Sequence, residues 1–152
     1  MKYRFILLIQ FLLVGISSLA AQSINWLDFT ELSDSLRANP KPVMVFISAD
    51  WCAYCKLQSS KTFKNKQVIE ALKDHYCLEL NTESSEEIRF LNRTYHFIPA
   101  GVNTGTHELA RLLGSINGQI TLPTTVLLDD HLQPVKQEAG YLDKKYFLDF
   151  LK

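Results

Sequence analysis

Cysteine is scarce in this sequence: 152 residues contain three, Cys52, Cys55 and Cys77. That is too few to staple a fold, and an odd number leaves one thiol over. Net charge is missing too, with sixteen basic residues against sixteen acidic ones. No broad positive field is therefore available to hold nucleic acid or an anionic surface. Repeats, low-complexity tracts and interdomain linkers are absent, so the chain reads as one domain. His75, His96, His107 and His131 are scattered and suggest no ligand set.

The one long apolar run, Phe5 to Val14, follows the basic residues Lys2 and Arg4 and precedes the small residues Ser18, Ala20 and Ala21. This is the three-part pattern of a secretory signal peptide. Residues 1–21 are predicted to be that segment and 22–152 the working domain. The run falls short of the ~20 apolar residues of a spanning helix, and an uncleaved anchor is the alternative. Loss of Lys2 and Arg4 leaves fourteen basic residues against sixteen acidic, a mildly acidic product. Export would bring the chain into a compartment that permits disulfides.

Two of the cysteines stand three apart in Ala49-Asp50-Trp51-Cys52-Ala53-Tyr54-Cys55-Lys56. A bridge between them closes a tiny loop and adds little to stability, so the pair points to chemistry. The pair follows the continuous apolar run Val43–Ile47, a strand buried on both faces, and precedes a helical pattern over Lys56–Phe63. At a helix N-terminus unpaired N–H groups favour an anion, so the first thiol ionises more readily. The thiolate attacks disulfides, and one helical turn brings the second sulfur within reach to resolve the product. Half of a zinc site is the other reading, but it lacks a second pair. A Cu(I) carrier using the soft thiolates is an alternative without enzymatic turnover.

Along the rest of the chain, apolar spacing predicts a helix over Ile24–Leu36, stopped by Asn39-Pro40-Lys41-Pro42. A short helix is expected within 65–74 and a second strand over Tyr76–Leu80. Ser84 and Glu87 have capping-box spacing, which predicts a helix running to about Tyr95. Residues 97–105 read as a loop and Thr106–Leu113 as a short helix. Thr124–Leu128 and Pro134–Glu138 are the third and fourth strands, joined by a turn, and Asp143–Lys152 is a closing helix. Alternation of this kind implies an α/β fold: parallel strands with crossover helices, finished by an antiparallel hairpin.

Ala-Asp-Trp-Cys-x-x-Cys-Lys after a hydrophobic strand resembles the thioredoxin superfamily. Met44, Ala49–Cys52, Thr62-Phe63 and Gln67-Val68 are particularly similar to the C-terminal periplasmic domain of the DsbD disulfide reductases. The resemblance implies a thioredoxin fold, with a central mixed sheet of four or five strands flanked by helices. It also implies a periplasmic thiol–disulfide oxidoreductase, with Cys52 as nucleophile and Cys55 as resolving residue. No cofactor is implied. The expected partners are protein disulfides and a membrane-bound or periplasmic thiol donor, and a monomer is expected.

Leu122-Pro123-Thr124 matches the family's cis-proline, which leaves a backbone edge free for a bound peptide; Pro99 is a rival. Trp51, Ala53 and Tyr54 match partner-contacting and potential-tuning positions, and Ala53-Tyr54 lacks the histidine of oxidising relatives, which favours reduction. One departure matters. Thioredoxin has a buried aspartate six residues before the first cysteine, and Phe46 stands there instead. Glu79, on the neighbouring strand, is the candidate replacement base for Cys55, with an exposed strand glutamate as the other reading. Cys77 reads as a small core residue. The 97–122 link looks longer than thioredoxin's, as a partner-selecting insertion or a surface excursion would be.

Overall fold

A computed structural model describes residues 23–102 and 104–152. The predicted signal peptide lies outside them. Among the described residues no helix is long and apolar enough to cross a membrane.

The first element is not the expected helix from Ile24. Trp26–Leu27 is a short strand (β1), and the helix α1 covers Phe29–Ala38. Asp28 decides the boundary. Its carboxylate accepts the Thr30 N–H at 2.8 Å while its own backbone is extended, so the residues before it leave the helical path. That bond, with a second from the Thr30 hydroxyl, holds the Asp28 carboxyl below the usual carboxylate range.

Val43–Ser48 (β2) is buried along its whole length, as its unbroken apolar run demands. Next come helices α2 (Ala53–Lys61) and α3 (Lys66–Ala71), then strand β3 (Tyr76–Asn81). Strands β10 (Thr124–Leu128) and β11 (Pro134–Ala139) and helix α5 (Lys144–Phe150) close the chain. The five-stranded sheet has the order β1-β3-β2-β10-β11. β1, β3 and β2 run parallel, and β10 is antiparallel to both β2 and β11.

Alternation along β2 and β3 sorts the core into two layers. Val43, Val45, Ile47, Leu78 and Leu80 face α1. Met44, Phe46 and Cys77 face α2, α3 and α5, together with Cys52, Cys55, Phe63 and Phe147. Phe63 links the second layer edge-on, 4.9 Å from Phe46 and 5.4 Å from both Trp26 and Phe147 between ring centroids.

Between β3 and β10 the structure departs furthest from expectation. The predicted helix over 84–95 is a hairpin of β4 (Ile88–Phe90) and β5 (Arg93–Tyr95). Ser84 caps only a turn, accepting the Glu86 N–H at 3.2 Å. Leu91 and Asn92 both take positive φ, 49° and 60°, the twist that a two-residue hairpin turn needs. Phe90 then packs edge-on against Phe29 of α1, 6.3 Å between centroids. The predicted loop at 97–105 is a second hairpin, β6 (Phe97–Gly101) and β7 (Thr104–His107). Helix α4 (Glu108–Gly114) follows, and a small hairpin of β8 (Ser115–Ile116) and β9 (Gln119–Ile120) leads to Leu122.

Buried His107 starts α4. Its Nδ1 accepts the Leu109 N–H at 3.2 Å and its Nε2–H donates to the Glu86 carbonyl at 3.1 Å. The His107 N–H donates to Thr82, whose own N–H donates to Ser48, at 2.7 and 2.8 Å. Two backbone bonds thus tie the second hairpin to the ends of β3 and β2.

Candidate active site

β2 ends at Ser48, and the chain turns through Ala49-Asp50-Trp51 into α2. Cys52 is the N-cap of that helix. Its sulfur accepts the Cys55 N–H at 3.1 Å, as a Ser or Asp cap oxygen would. That N–H and the helix dipole both favour a negative sulfur at position 52 once the bond is reduced. Cys52 and Cys55 are joined as a disulfide, with Cα atoms 5.2 Å apart.

Their surroundings are asymmetric. Trp51 and Tyr54 are 67% and 62% exposed, whereas Cys52 and Cys55 keep 4% and 3% of their surface. Both cysteines are therefore almost fully covered in the oxidised form, and the exposed groups of the motif are the two aromatic side chains beside them. Ala53 is exposed beside them.

The segment after β3 fixes this loop. Trp51 Nε1–H donates to Glu83 Oε1 at 3.0 Å, and Asn81 Nδ2–H donates to Asp50 Oδ1 at 3.0 Å. Asn81 Oδ1 in turn accepts the Glu83 N–H at 2.8 Å, an Asx turn that orients both residues. Asn81 and Glu83 are site residues that sequence reasoning missed. The Asn-x-Glu spacing marks the turn, but nothing local marks its target.

The other end of α2 is held by a buried polar clamp. Fully buried Gln58 donates from Nε2 to Thr125 Oγ1 at 3.3 Å and accepts the Leu142 N–H at 2.9 Å. Thr62 Oγ1–H, one turn on, donates to the Leu142 carbonyl at 2.7 Å. Helix α2 thereby grips both polar groups of one peptide residue and strand β10 at once. No local periodicity points to this role for Gln58.

Thr124 pairs with Ile47 across β10 and β2, so Leu122 and Pro123 lie at the same end of the sheet as Cys52. The Leu122–Pro123 peptide is cis. Pro123 is buried and its carbonyl accepts the Gly140 N–H at 2.7 Å; Leu122 is half-buried against both core layers. Pro99 is exposed within β6.

Glu79 pairs with Phe46 in register and lies on the Cys77 side of β3, the layer that holds the cysteines. It is exposed rather than buried, and its carboxylate accepts the Ser48 hydroxyl at 2.9 Å. β1 reaches only to Leu78, so β3 has no neighbour on that side from Glu79 onward.

Cys77 is a free thiol in the core, and burial pushes it up to about 12. A maleimide at about pH 8 should leave Cys77 unmodified in the folded, oxidised protein and label it only after denaturation. Mass spectrometry of the intact chain checks this; labelling of the native form would show that the layer opens.

These features meet in one arrangement: a cysteine at a helix N-cap, a second one turn later, and a proline-led antiparallel strand alongside. The chain matches the thioredoxin-like domain family over residues 31–152. It belongs to that family. It is also 34% identical to Escherichia coli K12 DsbD, a thiol:disulfide interchange protein, over 141 residues, covering 87% of this chain and 21% of that protein. It spans 13% of the Campylobacter jejuni DsbD that it also matches. Among solved structures, a Thermus thermophilus thioredoxin shares the fold with TM-score 0.60 and 20% identity, covering 85% of each chain. The reduced C-terminal domain of Neisseria meningitidis DsbD gives TM-score 0.52 and 16% identity, covering 80% of this chain and 89% of that one. The chain is thus a member of the thioredoxin-like family with its Cys-x-x-Cys pair in bonding range.

Proposed function

We propose that this protein is an exported, periplasmic reductase of protein disulfides, with residues 1–21 as its signal peptide. The observation that carries the chemistry is the Cys52 sulfur at the α2 N-cap, with the Cys55 N–H on it and Cys55 in bonding range. In the reduced protein the Cys52 thiolate attacks one sulfur of a partner disulfide. A Cys52–partner bond forms, and the partner's other sulfur leaves as a thiolate. Cys55 loses its proton and attacks the Cys52 sulfur, which breaks the mixed disulfide and frees the second partner thiolate. Two electrons have passed to the partner, and the Cys52–Cys55 bond of the structure is the product. A membrane-bound or periplasmic dithiol donor returns two electrons for the next cycle.

Trp51, Ala53, Tyr54, Leu122 and Pro123 make up the partner-facing rim. The support for reduction is the Ala53-Tyr54 pair, which carries no imidazole to stabilise the Cys52 thiolate further. Such stabilisation is what makes a dithiol strongly oxidising. The test is the redox state of the pair in intact cells, trapped by acid and alkylation. A reduced pair is expected; a fully oxidised pair would mark a donor of disulfides.

Glu79 is the proposed acceptor of the Cys55 proton, acting from the same sheet layer. Glu79→Gln should slow insulin reduction ~10-fold near pH 7, below the ~100-fold usual for a positioned base because this carboxylate is exposed. The deficit should shrink at higher pH, where hydroxide can take the Cys55 proton in place of the carboxylate. An unchanged rate and pH profile would remove Glu79 from the mechanism.

A further inference from the structure

The groove beside Trp51 is not explained by exchange chemistry alone. It is a cavity of about 360 Å³ lined by Glu83, Phe97, Pro99, Gly101, Thr104 and Gly105. One wall is thus the second hairpin, and the other is the residue that holds the Trp51 indole. Trp51 adjoins Cys52, so the groove continues the partner-facing rim. We infer that this groove selects partners that carry a lysine or arginine beside the target disulfide, with Glu83 as the recognising charge. The inference rests on the reductase reading and adds the class of partner to it.

Three features define the occupant. Glu83 spends Oε1 on Trp51, and among the described residues no lysine, arginine or histidine is paired with its carboxylate. One oxygen is therefore open to a cation entering the groove. Asp50, the residue before Trp51, is outside the lining and holds Asn81; it adds a negative charge to the same loop and is likewise free of an ion-pair partner among the described residues.

The second feature is shape. A Cβ on Gly105 would sit 2.3 Å from Phe97 Cζ and 2.5 Å from the Ile98 carbonyl oxygen, so glycine is what lets the Phe97 ring approach β7 this closely. Phe97 and Pro99 then present an apolar wall leading to the carboxylate. A long side chain with an apolar stem and a cationic head matches that sequence of surfaces. An acidic side chain would meet the Glu83 carboxylate, and a short polar one would leave the wall uncovered.

The third feature is placement. The hairpin is tied by backbone bonds from His107 to Thr82 and from Thr82 to Ser48, so its position is set relative to the Cys52 loop. A groove wall anchored in this way reads the partner at a fixed distance from the reacting sulfur. It therefore acts on binding rather than on the exchange step.

Three peptides of equal length, each with one internal disulfide flanked by lysines, serines or glutamates, test the inference at low ionic strength. The expected KM for the lysine peptide is about 5-fold below that for the serine peptide, with similar kcat, as suits one solvent-edged ion pair. Glu83→Gln keeps an acceptor for the Trp51 indole and should bring the lysine-to-serine KM ratio close to one. Glu87→Gln, which removes an equal charge outside the groove, should keep the wild-type ratio. Equal KM values for lysine and serine peptides in the wild type would overturn the inference and leave the reductase reading standing. So would a ratio that survives Glu83→Gln, or one lost equally with Glu87→Gln. Failure of the wild type to reduce any peptide, and insulin as well, would overturn the reductase reading and the inference with it.

Discussion

Cys52→Ser should lower insulin reduction to the rate without enzyme, while Cys55→Ser should accumulate a covalent complex with its partner. The two variants separate because the sulfurs occupy different positions. Cys52 sits at the helix cap, where the Cys55 N–H and the dipole favour its thiolate. No neighbouring group can replace that nucleophile: Cys77 is a core thiol whose burial pushes it up to about 12. Cys55 follows one turn later and is the group proposed to break the mixed disulfide. Removing it leaves capture intact and blocks release. Non-reducing electrophoresis after incubation with a disulfide-bonded partner reads both effects. Covalent capture by Cys52→Ser, with none by Cys55→Ser, would reverse the assignment.

Phe46→Ala should destabilise the oxidised protein by about 3–5 kcal/mol. Phe46 is fully buried in β2, edge-on to Phe63 at 4.9 Å and 6.4 Å from Trp26. These rings fill the layer on which α2 and the cysteines rest. The position is also where thioredoxin keeps its buried aspartate. In this chain a carboxylate there would stand among aromatic rings and pay a large desolvation cost. The chain has instead left that position apolar and carries a carboxylate at the paired position 79, at the solvent edge of the same layer. Denaturant unfolding measures the loss as a lower midpoint with an unchanged slope. A loss below about 1 kcal/mol would mean that the layer repacks around the missing ring.

What could be read from sequence depended on how local each signal is. The β2 run, the cysteine pair with its helix and the β10–β11 hairpin are encoded by contiguous residues, and the structure has all of them. The helix expected over 84–95 rested on a three-residue capping spacing. It lost to the Leu91–Asn92 turn, which carries no glycine to announce it. β1 is two residues long, too short to show any period. The faces of Cys77 and Glu79 were legible from alternation along β3. The exposure of Glu79 was not, because it depends on where a distant strand stops. Asn81 and Glu83 act on the active-site loop across 31 and 32 residues, and Gln58 meets Leu142 across 84. Pairings of that range leave no trace in spacing.

The most direct test is the ionisation and reactivity of Cys52 in the reduced, folded protein. Its thiolate absorbance should titrate below the ordinary ~8.5 of a cysteine, and iodoacetamide near neutral pH should modify Cys52 while sparing Cys55 and Cys77. A Cys52 that titrates at or above the ordinary value, or that stays unmodified until the protein is unfolded, would contradict a nucleophile at the α2 cap.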